Sequence, residues 1–135
     1  MISIDEQLAA WIQLLARISL ALVFLVSSIH KTLWYKKAVE EFRAAKAPLV
    51  GATLPATIAL HFVASICIVI GMYVAEAALA LALFTLLATE RAHGFWRFEG
   101  ADRLDRGRAA LANIAVIGGL MVLAVLGPGD LAFAP

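Results

Sequence analysis

Ten of the eleven lysines and arginines in this chain fall in two stretches, and that sorting constrains its fold more than any other feature. Lys31, Lys36, Lys37, Arg43 and Lys46 make the first, and Arg91, Arg97, Arg103, Arg106 and Arg108 the second. Around and between them the sequence is almost wholly apolar. Proteins that cross a bilayer hold positive charge in their cytoplasmic loops. The pattern predicts a chain threaded through a membrane with both cationic stretches inside. The eleventh cation, Arg17, stands alone in an apolar run.

Composition agrees. Of 135 residues, 63% are apolar and 16% charged, against roughly 45–50% and about 25% in soluble domains. So short a chain is one transmembrane domain. The net charge of +1 identifies no partner, and no basic surface suits nucleic acid. Cys67 is the single cysteine, so neither an internal disulfide nor a zinc-ligand spacing exists. The acidic start at Asp5 and Glu6 marks the first apolar run as a retained span, not a signal peptide.

Four spans are expected, at about Leu8 to Ile29, Leu54 to Tyr73, Ala75 to Ala92 and Ala109 to Leu126. Each approaches the ~20 residues that cross the hydrocarbon core. The third is the weakest, with Glu76 and Glu90 bracketing a short uncharged run. Thr53 and Pro55 read as the cap and first-turn proline of the second span. Gly127-Pro128-Gly129 stops the fourth. Gly71 to Glu76 is a tight link, making spans two and three an antiparallel hairpin.

With both cationic loops inside, the N- and C-termini lie outside, in a plasma (inner) membrane of bacterial type. Asp5, Glu6, Glu76 and Asp130 are the charges left there. Between Lys31 and Ala47, Trp34, Tyr35, Ala38, Val39 and Phe42 share a helical face, as in a helix lying in the headgroup layer. Glu99–Arg103 and Asp102–Arg106 have the spacing that supports a helix in the second loop. Trp34, Tyr35, Phe95, Trp96 and Phe98 form an interfacial aromatic belt. The expected fold is all-α: a transmembrane four-helix bundle with amphipathic interfacial helices in the two cytoplasmic loops.

This frame gives each polar residue a depth. Arg17 is mid-span, where insertion costs about 2.5–3.5 kcal/mol, so it should face the bundle interior, a partner or a watery cleft. It either locks helices together or anchors a polar ligand group. His30 and Lys31 emerge at the inner face. His61 lies about two turns down, roughly 10 Å. Glu90 and His93 reach the inner face, with Trp96 just beyond, and Asn113 lies one turn down. A compact bundle can bring His30, Lys31, His61, Glu90, His93 and Asn113 to one pocket in the inner third. The Glu90–His93 spacing occurs in di-iron bundles, but here once and without the extra glutamates, so no metal site is expected. Neutral imidazole exchanges protons near pH 7, as quinone chemistry requires. Ser27, Ser28, Ser65, Thr85 and Thr89 are expected to bond to nearby backbone carbonyls.

Taken in order, these residues resemble the DoxX family of small four-span membrane proteins. The likeness rests on Arg17, Phe24, the Ile29-His30-Lys31 exit, Gly71, Ala88-Thr89, His93-Gly94-Phe95-Trp96, Asn113, Gly118-Gly119 and Gly127-Pro128-Gly129. It implies a four-helix bundle and a membrane subunit working with quinone-linked oxidoreductases, as in thiosulfate:quinone oxidoreductase and a terminal quinol oxidase. Three positions depart from the family pattern. Ser28 replaces a glycine, His61 stands where an acid is common, and Ala134 lies near the place of a missing aspartate.

Three functions follow as expectations. The first is an accessory or anchor subunit of a quinone-linked oxidoreductase, holding quinone near the inner third. It has no redox cofactor of its own, since the chain lacks flavin, haem and cluster motifs. Its partners are the bilayer and a redox subunit or a second copy of the chain. The second is a stand-alone enzyme or binding protein for another lipophile, such as an isoprenoid. The third is a ligand-free scaffold. For orientation, a reporter enzyme that works only outside the cytoplasm is expected to be active when fused after residue 135. Activity confined to a cytoplasmic reporter reverses the assignment.

Overall fold

A computed structural model describes residues 5–133, apart from the side chain of Phe95. The Ala134 departure and the Phe95 member of the aromatic set lie outside this description. Among the described residues the chain is all helical. Helix α1 is Glu6–Leu33, α2 Tyr35–Ala44, α3 Val50–Ile70, α4 Val74–His93 and α5 Gly100–Leu126, with a single 3-10 turn at Phe95–Arg97. Helices α1, α3 and α5 are long and apolar enough to cross a membrane. Helix α4 falls short of that apolarity, as its bracketing glutamates foreshadow, yet it packs between α3 and α5. Helix α1 packs on α3 and meets α5 more lightly, and α2 lies against α1 and α3. At the α1–α5 seam, a Cβ on Gly119 would come within 3.0 Å of Leu20 Cδ2, so the missing side chain admits the leucine.

The interior is built from small residues. Ala21, Ala64, Ala77, Ala78 and Ala82 are buried around a few large side chains, Leu54, Ile68, Leu81 and Leu120, whereas Leu15, Leu83, Leu111 and Val125 point outward, Val125 being 83% exposed. Water would drive the large apolar side chains inward. Lipid does not, and the gain comes from close backbone approach between small residues. This distribution is that of a bundle whose solvent is a bilayer.

Helix ends differ from the sequence reading in three places. Helix α3 begins at Val50, after Leu49 in the left-handed region, and Pro55 lies inside it. Thr53 is no N-cap; its hydroxyl donates to the Pro48 carbonyl. The link between α3 and α4 is shorter than expected. Gly71 turns the chain at φ 81°, and α4 starts at Val74, so Glu76 sits in its first turn, where the helix dipole favours an acid. The second cationic loop makes no separate helix. Its residues form the 3-10 turn and the opening turns of α5. Asp5 caps α1 by accepting from the Leu8 N–H at 2.7 Å, so α1 runs 28 residues.

Both cationic stretches share one end of the bundle, where Arg91 Nη1 donates to the Lys46 carbonyl at 2.9 Å. At the opposite end the chain after α5 folds back, and the Phe133 N–H donates to the Ile70 carbonyl at 2.8 Å. We expect Ala78→Leu, which overfills a sealed contact, to cost about 1–3 kcal/mol, and Val125→Ala to cost much less. Unfolding in mixed micelles checks this. Equal costs would refute the small-inside arrangement.

Candidate functional site

Helix α1 carries its chemistry on one stripe. Arg17, Ala21, Phe24 and Ser28 follow steps of four, three and four, and all are buried; Lys31, three further on, is half-buried. Helix α3 answers with Leu54, Thr57, His61, Ala64, Ser65 and Ile68. The two stripes bring His61 against α1.

His61 is 3% exposed. Its ring stands edge-on between two phenyl rings. Phe24 lies 5.3 Å away at 73°, and Phe84 of α4 lies 4.6 Å away at 88°. Neither ring nitrogen, Nδ1 or Nε2, has a hydrogen-bond partner. Leaving a buried polar group unmet costs about 1–3 kcal/mol. A neutral imidazole offers one donor and one acceptor, and here both are unused. Lys31 is the charge whose field reaches the imidazole. The Lys31 ammonium donates to Ser27 Oγ, and Glu41 of α2 is the acid that acts on it.

The remaining candidates do not join this centre. His30 is exposed, its ring tilted against Trp34 at 5.0 Å. Asn113 Nδ2 donates to Thr89 Oγ1 at 2.9 Å, tying α5 to α4. Glu90 is exposed and pairs with Arg97 at 2.7 Å, not with His93. Trp96 is exposed beneath the Arg97 guanidinium. His93, beyond the apolar run of α4, is half-buried with Nδ1 unpartnered. Burial, and then the positive field of Arg106, lower its pKa below the ordinary imidazole value. The expectation of one inner pocket is therefore corrected. Helical azimuth separates an α1–α3 centre at His61 and Lys31 from an α4–α5 cluster at Glu90, His93 and Asn113, with His30 and Trp96 on the surface. Among the described residues no group of histidine, cysteine and acidic side chains could hold a metal ion.

Arg17 is 1% exposed, yet not level with the inner residues. Its Nη2 donates to the Leu131 carbonyl at 2.5 Å, and a Cβ on Gly71 would collide with its Nη1. It therefore lies at the opposite end of the bundle from the cationic loops, level with the last turn of α3. Arg17 is mid-helix on α1, as the sequence places it; what the sequence does not show is that α3 ends, and the chain after α5 crosses, at that level.

Two grooves lie along α1, and neither is lined by His61, Phe24 or Phe84. One, about 540 Å³, lies between α1 and α2 and is lined by Val23, Val26, His30, Lys31 and Lys37 among others. The other, about 550 Å³, is almost wholly apolar and runs between α1 and α3 past Ser28, Thr32, Pro55, Ala59 and Phe62. Ser28 lines it one turn beyond Phe24, the ring that touches His61. Sequence reasoning missed Phe24 as a site residue and missed Phe84 altogether. Phe24 was findable, seven residues from Arg17 on the same stripe. Phe84 has no local signal, being one large residue in a leucine-rich run. Arg97 as the partner of Glu90 was equally hidden, because the turn between them sets the pairing.

Comparison with known proteins fits this architecture. The inner membrane protein YphA of Escherichia coli (strain K12) is 24% identical over 116 residues, which cover 86% of this chain and 83% of that protein. No solved structure matches the chain. The sequence model of the DoxX family matches residues 12–94. With its long apolar helices and lipid-type packing, the chain is an integral membrane protein and belongs to the DoxX family.

Proposed function

We propose that this protein is a four-span inner-membrane subunit that holds the headgroup of a quinone at His61 for a partner oxidoreductase. The carrying observation is the pair of unpartnered ring nitrogens on His61, boxed between Phe24 and Phe84. A quinone carbonyl accepts a hydrogen bond and a quinol hydroxyl donates one, so one imidazole serves both forms. The flanking phenyl rings favour a planar guest. The apolar α1–α3 groove, lined by Ser28 one turn along α1 from Phe24, suits the prenyl tail. Lys31, half-buried above, can supply positive charge to a reduced ring. Electrons come from the partner, because the chain carries no redox motif of its own.

The orientation in this reading follows the charge rule. The end holding Lys31, α2 and the 3-10 turn faces the cytoplasm, α4 is the third of four crossings, and both termini lie outside. Geometry narrows the roles expected from sequence. Arg17 is at the far end and Asn113 is committed to Thr89, so neither orients a ring at His61. Glu90 and His93 lie on the α4–α5 side and reach it only through intervening side chains.

A second reading, a binder of another isoprenoid-like lipophile, is favoured by the groove itself, whose apolar lining selects a chain and not a headgroup. The test is lipid extraction and mass spectrometry of protein purified from native membranes, beside a His61→Leu variant. Quinone is expected with the wild type and lost from the variant. The variant is expected to be as stable as the wild type or more so, because it removes unmet polar atoms that cost about 1–3 kcal/mol. A different lipid lost from the variant supports the second reading. Wild type free of both lipid and redox partner leaves a scaffold.

A further inference from the structure

We infer that Arg17 is the floor of a second binding site, for an oxyanion of the phosphate class, closed at the end away from the cationic loops by residues 127–133. This site lies apart from His61 and does not rest on the quinone reading.

Arg17 is a buried cation with no counter-ion among the described residues. Arg17 is 1% exposed, and its Nε and Nη1 have no hydrogen-bond partner. Its one acceptor is neutral, the Leu131 carbonyl at 2.5 Å from Nη2. A guanidinium presents its N–H groups as a rigid fork, matched by two oxygens of a carboxylate or phosphate. Here a single peptide oxygen meets the fork, and the other donors wait. Exposed acids occur at this end, Glu76 and Asp130 among them, but neither is recorded as a partner of the guanidinium.

The cover is a strap, not a helix. Gly127 ends α5 at φ 82°. The chain then passes over α1 and α3. A Cβ on Gly129 would collide with the Gln13 amide, and one on Gly71 would collide with both Ala132 and Arg17. The strap thus lies flush on the bundle, with Gly71 giving room to strap and guanidinium at once. Two polar ties hold the strap to the bundle, Phe133 N–H to the Ile70 carbonyl and Arg17 to the Leu131 carbonyl. An oxyanion that takes the fork removes the second tie, and Asp130 leaves with the strap. The oxyanion can be a free ion from the aqueous side or the phosphate of a lipid headgroup.

The test uses the full chain with Cys67→Ala and Ala132→Cys, so that a water-soluble maleimide reports the strap through one thiol. In micelles, labelling is expected to be slow. Inorganic phosphate should accelerate it saturably, by about tenfold, equivalent to ~1.4 kcal/mol of shifted equilibrium. If the headgroup is the ligand, nanodiscs of phosphatidylglycerol should accelerate it relative to nanodiscs of a phosphate-free glycolipid such as digalactosyldiacylglycerol, while inorganic phosphate does not. Adding Arg17→Gln should abolish the response. If that variant fails to fold, Arg17→Lys, which keeps charge but loses the fork, should shift the midpoint to higher concentration. Three results overturn the site: no acceleration by either probe, equal acceleration by sodium chloride of the same ionic strength, or an unchanged response in a folded Arg17 variant.

Discussion

In an apolar bundle a hydroxyl has one inexpensive partner, the carbonyl one turn back on its own helix. Ser28 donates to Leu25, Thr57 to Thr53, Ser65 to His61, Thr85 to Leu81 and Thr89 to Thr85. These bonds cancel most of the interior polarity locally and ask nothing of neighbouring helices. The helices are then free to pack through alanine and glycine, which is how association proceeds where lipid and protein are equally apolar. Against that background the polar groups that cannot satisfy themselves stand out. An imidazole and a guanidinium are too long to fold back on their own backbone. Along with His93 Nδ1 at the end of α4, His61 and Arg17 are the places among the described residues where buried side chains keep an unmet demand.

Much of the fold was legible, because charge sorting and apolar run length are properties of the chain alone. The shared location of the two cationic stretches, seen in the Arg91–Lys46 contact, follows from the hairpin of α3 and α4 between them. The all-helical architecture and the stop at Gly127 were equally open to reading. Helix starts were not. Apolar residues on both sides of Leu49 conceal its left-handed turn, and Pro55 looks like a first-turn proline although the helix has already begun.

For the site, position along each helix was legible and azimuth was not. Counting residues from a loop places His61, Glu90 and Asn113 at similar levels. In a water-soluble helix the apolar face betrays the inward side. Here both faces are apolar, and the inward side is marked only by small residues, a weaker signal. Glu90 consequently turned out to face Arg97 across the 3-10 turn, and Asn113 to bridge to Thr89. His61 was better determined, since a histidine within a span has few tolerable surroundings besides the interior.

The distance between the two unmet groups limits what any ligand can do. His61 and Gly71, which touches the Arg17 side, are ten residues apart on α3, about 15 Å at 1.5 Å per residue. One planar headgroup cannot reach both. A chain-bearing lipid seated at His61 would turn its tail into the α1–α3 groove, toward the cationic end and away from Arg17. If the ring is held at His61, Arg17 is therefore left to another guest or to the strap alone. The two centres also share a rigid path, since Arg17 and Phe24 lie on one stripe of α1 and His61 and Gly71 on one helix. A change in strap position that moved α1 by a fraction of a turn would reach the Phe24–His61 contact directly. Communication between the ends thus requires no mobile element beyond these two helices.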